Sequence, residues 1–245
     1  MQKQNYEVDI LVNGHSAREY IKDGKIYIEG RKKQEYSLRI KNNGYKRILA
    51  VPTVDGLSVL NGKEASYNSP GYIVNGHDSV TIHGWRIDDD NVAKFYFSDP
   101  EESYSELKGA ANNNGVIGVA VFREKDPVYY YSAASVTYTG PSGIINRVFN
   151  NKHLNASANF MAQDAERGGS VNSLYAASLG TGWGESKKSS VTTVSFQSEK
   201  SVDAMFTIYY NTKQQLVKMG IDFDEKPRYV TPSAFPGQYC EPPKK

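Results

Sequence analysis

The side chains best suited to metal or acid–base chemistry in this 245-residue sequence are four histidines, one cysteine and a short acidic run. The histidines are His15, His77, His83 and His153. None has the i, i+4 or Cys-x-x-Cys-like spacing that brings two ligands to one metal. His77 and His83 flank one apolar stretch and could meet Asp88, Asp89 and Asp90 across a turn. The run IDDDN at 87–91 offers the oxygen ligands Ca²⁺ takes, but it lacks the spaced ligands and distal Glu of an EF-hand loop. A plain turn is the expectation there. GTGWGE at 180–185 invites comparison with a phosphate-binding loop. It lacks the Lys-Ser/Thr of a P-loop and the third glycine of a dinucleotide fingerprint, and it precedes a strand-like run rather than a helix. A tight turn anchored by Trp183 is expected instead. Ser, His and Asp all occur, but no Gly-x-Ser-x-Gly elbow does. The sequence therefore predicts no catalytic residue, no metal ligand and no cofactor, and the protein is not expected to be an enzyme. An unfamiliar hydrolase using Asp88–Asp90 or Glu185 is the weakest of the competing readings.

Charge adds little. Lys and Arg number 29 against 27 Asp and Glu, a balance of +2, so nothing biases the whole chain toward nucleic acid or an anionic membrane. Arg31–Lys33 with Lys41, Lys46 and Arg47 could form one basic edge beside Tyr36 and Tyr45. A solvated edge that blocks sheet-to-sheet aggregation is the favoured reading, and nucleic acid is not an expected partner. A single cysteine, Cys240, rules out an intramolecular disulfide. The first twenty residues lack a signal-peptide apolar core, and no run reaches the ~18 apolar residues of a membrane span. A virion or the cytoplasm is the expected location.

The elements that must position these residues read as strands. Eighteen tyrosines among many Val, Ile and Thr favour pleated surfaces. YEVDILVNG (6–14), KIYIEG (25–30), EYSLRIKNNG (35–44), KRILAVPTV (46–54), SVTIHGW (79–85) and NVAKFYFS (91–98) are apolar runs separated by Asn-Gly and Asp-Gly turns. In 35–44, Tyr36, Leu38 and Ile40 fall on one face and Ser37, Arg39 and Lys41 on the other. SDPEESYSELKG (98–109) has a capping Ser or Asp, Pro100 at the first position and a closing Gly109, and predicts one helix. Turn signals every ~8–12 residues predict an all-β fold: an antiparallel, jelly-roll-like β-sandwich with one or two short helices and a long irregular arm.

The expected organisation is a sandwich over 5–124, an irregular arm over 125–179, a β-hairpin and short helix completing the sandwich over 180–222, and a Pro-rich extended tail over 223–245. The arm is poor in charge and rich in Asn, Ser, Ala and Gly, yet it holds three apolar clusters. Tyr129, Tyr130 and Tyr131 form the first, Ile144, Ile145 and Phe149 the second, Phe160 and Met161 the third. Tyr is large, amphipathic and stiff, and enriched at interfaces. These eight residues are the candidate assembly contacts.

The blocks VDGLSVLNGKEAS, SPGYIV, GVIGVAVF, GTGWGE and FPGQYCEPP resemble, in the same order, those of a family of uncharacterised β-rich proteins encoded in bacterial and phage genomes. The resemblance covers roughly 5–124 and 178–243, implies no reaction, and makes a phage or virus source plausible. Two functions of different kinds then compete. The first is a non-enzymatic virion structural protein, a capsid, penton, spike or decoration subunit that binds other virion or capsid proteins as an oligomer. The second is a cytoplasmic or surface β-sandwich module that binds carbohydrate or protein through Trp85, Trp183 and exposed tyrosines.

Overall fold

A computed structural model describes residues 1–126 and 177–223, of which 1–125 and 177–223 lie in one compact unit. Strands β1 (Tyr6–Val12), β2 (Glu19–Lys22), β3 (Lys25–Glu29) and β4 (Glu35–Asn42) open the chain. They are followed by β5 (Ile48–Val54), β6 (Tyr72–Val74), β7 (Asp78–Ile82), β8 (Gly84–Arg86) and β9 (Asn91–Ser98). Then come α1 (Tyr104–Leu107), β10 (Val116–Arg123), β11 (Gly180–Lys188), β12 (Ala204–Asn211) and α2 (Lys213–Lys218).

Three reversals follow directly from their dipeptides. Asn13-Gly14, Asp23-Gly24 and Asp55-Gly56 each sit between directly paired residues, as in Val54↔Leu57. Both turn residues have positive φ, +50° at Asp55 and +78° at Gly56. That is the mirror-image turn whose twist matches the strands it joins, and Asn-Gly and Asp-Gly adopt it at little cost.

Two sheets result. In the first, β1 pairs with β4, and the other edge of β4 meets β7 and then β9. One edge of β9 holds β4 and β8, and the opposite edge holds β11. The second sheet runs β2, β3, β12, β10, β5, with β6 on the far edge of β5. Pro52, without an N–H, falls in β5 between the stretch paired to β6 and that paired to residues 57–58, so the ladder loses no donor there. The inner faces close on one apolar core. Val8, Ile10, Leu38, Ile40, Phe95 and Phe97 from the first sheet meet Ile28, Val54, Val119, Val121, Phe206 and Ile208 from the second. The fold is an all-β sandwich. No helix among the described residues is long and apolar enough to cross a membrane.

Four local expectations change. The pairing is antiparallel except between β3 and β12, which run parallel from Ile26↔Ile208 to Glu29↔Asn211. β12 arrives from far along the chain, so no hairpin sets its direction. Its apolar alternation only needs Ile208 and Tyr210 to face inward beside Ile26 and Ile28. The helix expected over 98–109 is split: Pro100–Glu102 forms a 3₁₀ turn, and Ser103 then caps α1 by accepting from the Glu106 N–H at 3.2 Å. GTGWGE is no turn but the first two-thirds of β11, laid along β9. The hairpin expected within 180–222 does not form. β11 and β12 belong to different sheets, and residues 189–203 cross between them. Backbone bonds tie this crossing to Asp89 and Asp90 at one end and to Arg123 and Lys125 at the other. Residues 191–197 alternate like a strand but pair with none of the sheet strands.

Candidate functional site

The eight expected assembly contacts, Tyr129, Tyr130, Tyr131, Ile144, Ile145, Phe149, Phe160 and Met161, lie outside the described residues, as do His153 and Cys240. The other candidates can be placed. Trp85 is 1% exposed and donates from Nε1 to the Gly182 carbonyl at 3.1 Å. It is a core residue and no binding platform. Trp183 is part-exposed, 4.8 Å from the Tyr104 ring, which is itself 4.8 Å from Trp85.

The acidic run stabilises its own loop. Asp88 accepts from the backbone N–H groups of Asp90 and Asn91, both at 2.8 Å, and these bonds hold its carboxyl below the usual range. Asp90 accepts from the Ser190 hydroxyl at 2.8 Å. Neither histidine expected near it is part of that arrangement. His77 packs edge-on against Tyr45 at 4.6 Å, and His83 lines a cleft with Lys94 and Lys187. Among the described residues no three His, Cys, Asp or Glu side chains are placed to share a metal. The basic edge does not assemble either. Arg31 and Lys32 precede β4 and pair with Glu29 and Asp99. Lys41 and Arg47 lie at its other end and pair with Glu7 and Glu124.

The most unusual group is one that the sequence did not flag, the Asp55 carboxylate. Its turn position carries it into the core, where it is 0% exposed. It accepts from the Gly115 N–H at 2.9 Å, the Thr181 N–H at 2.7 Å and the Tyr210 hydroxyl at 2.6 Å. Thr181 Oγ1 then lies 2.7 Å from the Tyr36 hydroxyl and 2.8 Å from that of Tyr210. This chain links β4 and β11 of the first sheet to β5 and β12 of the second. Loss of hydration pushes the Asp55 carboxyl up to about 6, against the hydrogen bonds that favour its ionised form. Burial also holds both tyrosine hydroxyls well above their ordinary range. With no path to solvent, the cluster cannot meet a substrate, so its strained proton affinity belongs to stability rather than catalysis.

The surfaces that can meet a partner are the two outer sheet faces, and they differ. On the first sheet Glu7 pairs with Lys41 at 3.8 Å and Asp9 with Arg39 at 2.5 Å, a ladder of opposite charges facing water. On the second sheet Val51, Ala120 and Phe122 form a separate apolar cluster with Leu49 and Val202. Beside it a groove of about 350 Å³ runs over Gly118 and Ala120, with Tyr67 (58% exposed) and Met205 (41% exposed) at its sides. Toward the other edge Tyr20, Tyr27 and Tyr209 stand in line across β2, β3 and β12. Lys25 lies 5.4 Å from the Tyr209 ring and Arg18 5.0 Å from the Tyr20 ring. The residues of this face were legible only as strand positions, because which side faces outward depends on the partner sheet. Comparison with family models, with curated proteins and with solved structures finds no match to this chain.

Proposed function

We propose that the protein is a non-enzymatic structural component of a virion, a capsid, penton, spike or decoration subunit, acting through protein–protein contacts in an oligomer. The observation that carries this reading is the contrast between the two outer faces. A sheet face exposed to water alone alternates apolar-in and polar-out, as the first sheet does. The second sheet instead sets exposed Tyr67 and Met205 and the half-buried, aligned Tyr20, Tyr27 and Tyr209 on its outer side, beside Val51, Ala120 and Phe122, which this chain itself already buries, a composition suited to contact with another protein. The resemblance to uncharacterised bacterial and phage-encoded proteins is compatible with this reading, and the tyrosine-rich segment 127–176 supports it.

Sedimentation of the full chain tests it. The wild type is expected to form a defined oligomer, and Met205→Glu to dissociate it without lowering the melting temperature, since Met205 points away from the core. Deleting 127–176 is expected to leave the sandwich folded and to abolish assembly. A chain that stays monomeric at tens of micromolar and is absent by mass spectrometry from purified particles would overturn the proposal.

A further inference from the structure

The outer face of the first sheet holds a cleft that the assembly reading does not use. Its floor is Tyr96 of β9, paired with Gly182 of β11 on one side and Glu35 of β4 on the other. Gly182 presents bare backbone on this face, and the Tyr96 ring fills the space. A Cβ at Gly182 would lie 2.2 Å from Tyr96 Cζ, and one at Gly184 would lie 3.3 Å from its Cδ1. The glycines of GTGWGE thus seat an aromatic ring against the sheet surface. The half-buried ring also lines an open cleft of about 340 Å³, with Lys33, Glu35, Ser98, Asp99 and Glu185 around it.

Two features of this rim point to a ligand and to its class. Ser98 is 2% exposed and its hydroxyl has no hydrogen-bond partner among the described residues, an unpaired donor and acceptor in the cleft wall that a buried group does not normally leave unused. The charges are mixed and mutually neutralised: Lys32 pairs with Asp99, and Lys94 reaches Glu35 at 3.0 Å and Glu185 at 3.9 Å. A phosphate or other strong anion would meet four carboxylates here, Glu35, Asp99, Glu102 and Glu185, and an amine would meet Lys32 and Lys33.

We infer that this cleft binds a neutral saccharide. The C–H face of a pyranose is apolar and slightly positive, and it packs on the electron-rich face of Tyr96. Its hydroxyls donate to Glu35 and Glu185 and accept from Lys33, while the Ser98 hydroxyl gains the partner it lacks. A second cleft of about 320 Å³ shares Glu35 with the first and continues to Thr81, His83, Lys94 and Lys187. The two meet at Glu35, so the ligand class is an oligosaccharide spanning both. The inference is independent of the assembly proposal.

The test titrates the ¹⁵N-labelled full chain with methyl glycosides of glucose, galactose and mannose, with N-acetylglucosamine, and with their short oligomers, alongside an array of neutral and sialylated glycans. At least one neutral saccharide is expected to shift the amides of Tyr96, Gly182, Gly184, Glu35 and Glu185, with its oligomer binding more tightly. Tyr96→Ala should weaken binding about tenfold or more and Tyr96→Phe far less, as stacking requires. Glu185→Gln, at an exposed position, should weaken it severalfold with an unchanged melting temperature. If Tyr96→Ala fails to fold, Glu185→Gln decides, and unchanged affinity there overturns the inference. It is also overturned if no saccharide shifts these amides, if only anionic glycans bind, or if folded Tyr96→Ala binds like the wild type.

Discussion

Replacing Asp55 with asparagine changes one oxygen of a fully buried carboxylate into an NH₂ group. In the native chain one oxygen serves the Gly115 N–H and the Tyr210 hydroxyl, and the other serves the Thr181 N–H. Whichever way the amide is oriented, its NH₂ faces a backbone N–H that only an acceptor can satisfy. One buried donor is orphaned, at about 1–3 kcal/mol. The pH dependence gives the sharper test. The carboxyl is raised from 3.8 to about 6 on folding, so the folded state holds its proton more tightly than the unfolded state. The stabilisation from that proton is fully present below the unfolded value and is lost as pH rises toward 6. A shift of about two units corresponds to about 3 kcal/mol. Asparagine has no such proton. The stability difference between wild type and Asp55→Asn is therefore about 1–3 kcal/mol at pH 7, and it grows by a further 2–3 kcal/mol or so at pH 4. Guanidinium unfolding of the full chain from pH 4 to 8, followed by the fluorescence of buried Trp85, measures it, and most other titrating groups cancel in the difference. A gap that stays constant or shrinks on acidification would refute the reasoning, because the three hydrogen bonds would then have outweighed desolvation.

Three further outcomes follow from the same packing. Thr181→Val should cost about 1–3 kcal/mol by stranding the Tyr36 hydroxyl, whose only hydrogen bond among the described residues is to Thr181. Adding Tyr36→Phe should recover most of that loss, and a strictly additive double mutant in denaturant titrations would show that the hydroxyls are not coupled. Leu38→Ala, at a position with no exposed surface, should cost about 2–5 kcal/mol in the same assay, and a near-zero loss would place Leu38 outside the core. A chain ending at Lys125 lacks β11 and β12, and β12 joins β3 to β10 within the second sheet. It should aggregate on expression, whereas a soluble, cooperatively folding monomer would mean that the C-terminal strands are dispensable.

Much of the local structure was legible because its causes are local. Asn13-Gly14, Asp23-Gly24 and Asp55-Gly56 are rare chemistries that allow positive φ, and each forms the turn its dipeptide demands. The alternation of Tyr36, Leu38 and Ile40 against Arg39 and Lys41 needs only one buried face to become a strand, and β4 has one. Thr212 caps α2, the short helix expected within 180–222, and Gly220 follows its end.

What could not be read depends on residues far apart in the chain. GTGWGE looks like a turn because glycine usually punctuates one, and only the arrival of Tyr96 from β9 shows why the side chains are missing. Residues 191–197 alternate like a strand, yet the backbone bonds at their two ends commit them to crossing between sheets, to Asp89 on one side and Lys125 on the other. Trp85 looked like an exposed platform until β11 placed a carbonyl over its indole nitrogen. Asp55 reads as an ordinary hairpin residue, and its buried role appears only when Gly115, Thr181 and Tyr210 converge on it. The sequence alone determined where the chain turns and which residues alternate, because φ preference and side-chain periodicity act over two to eight residues. The tertiary structure alone decided which face is outward, which strands are neighbours and which polar groups are buried, because those are properties of two sheets in contact and not of either strand.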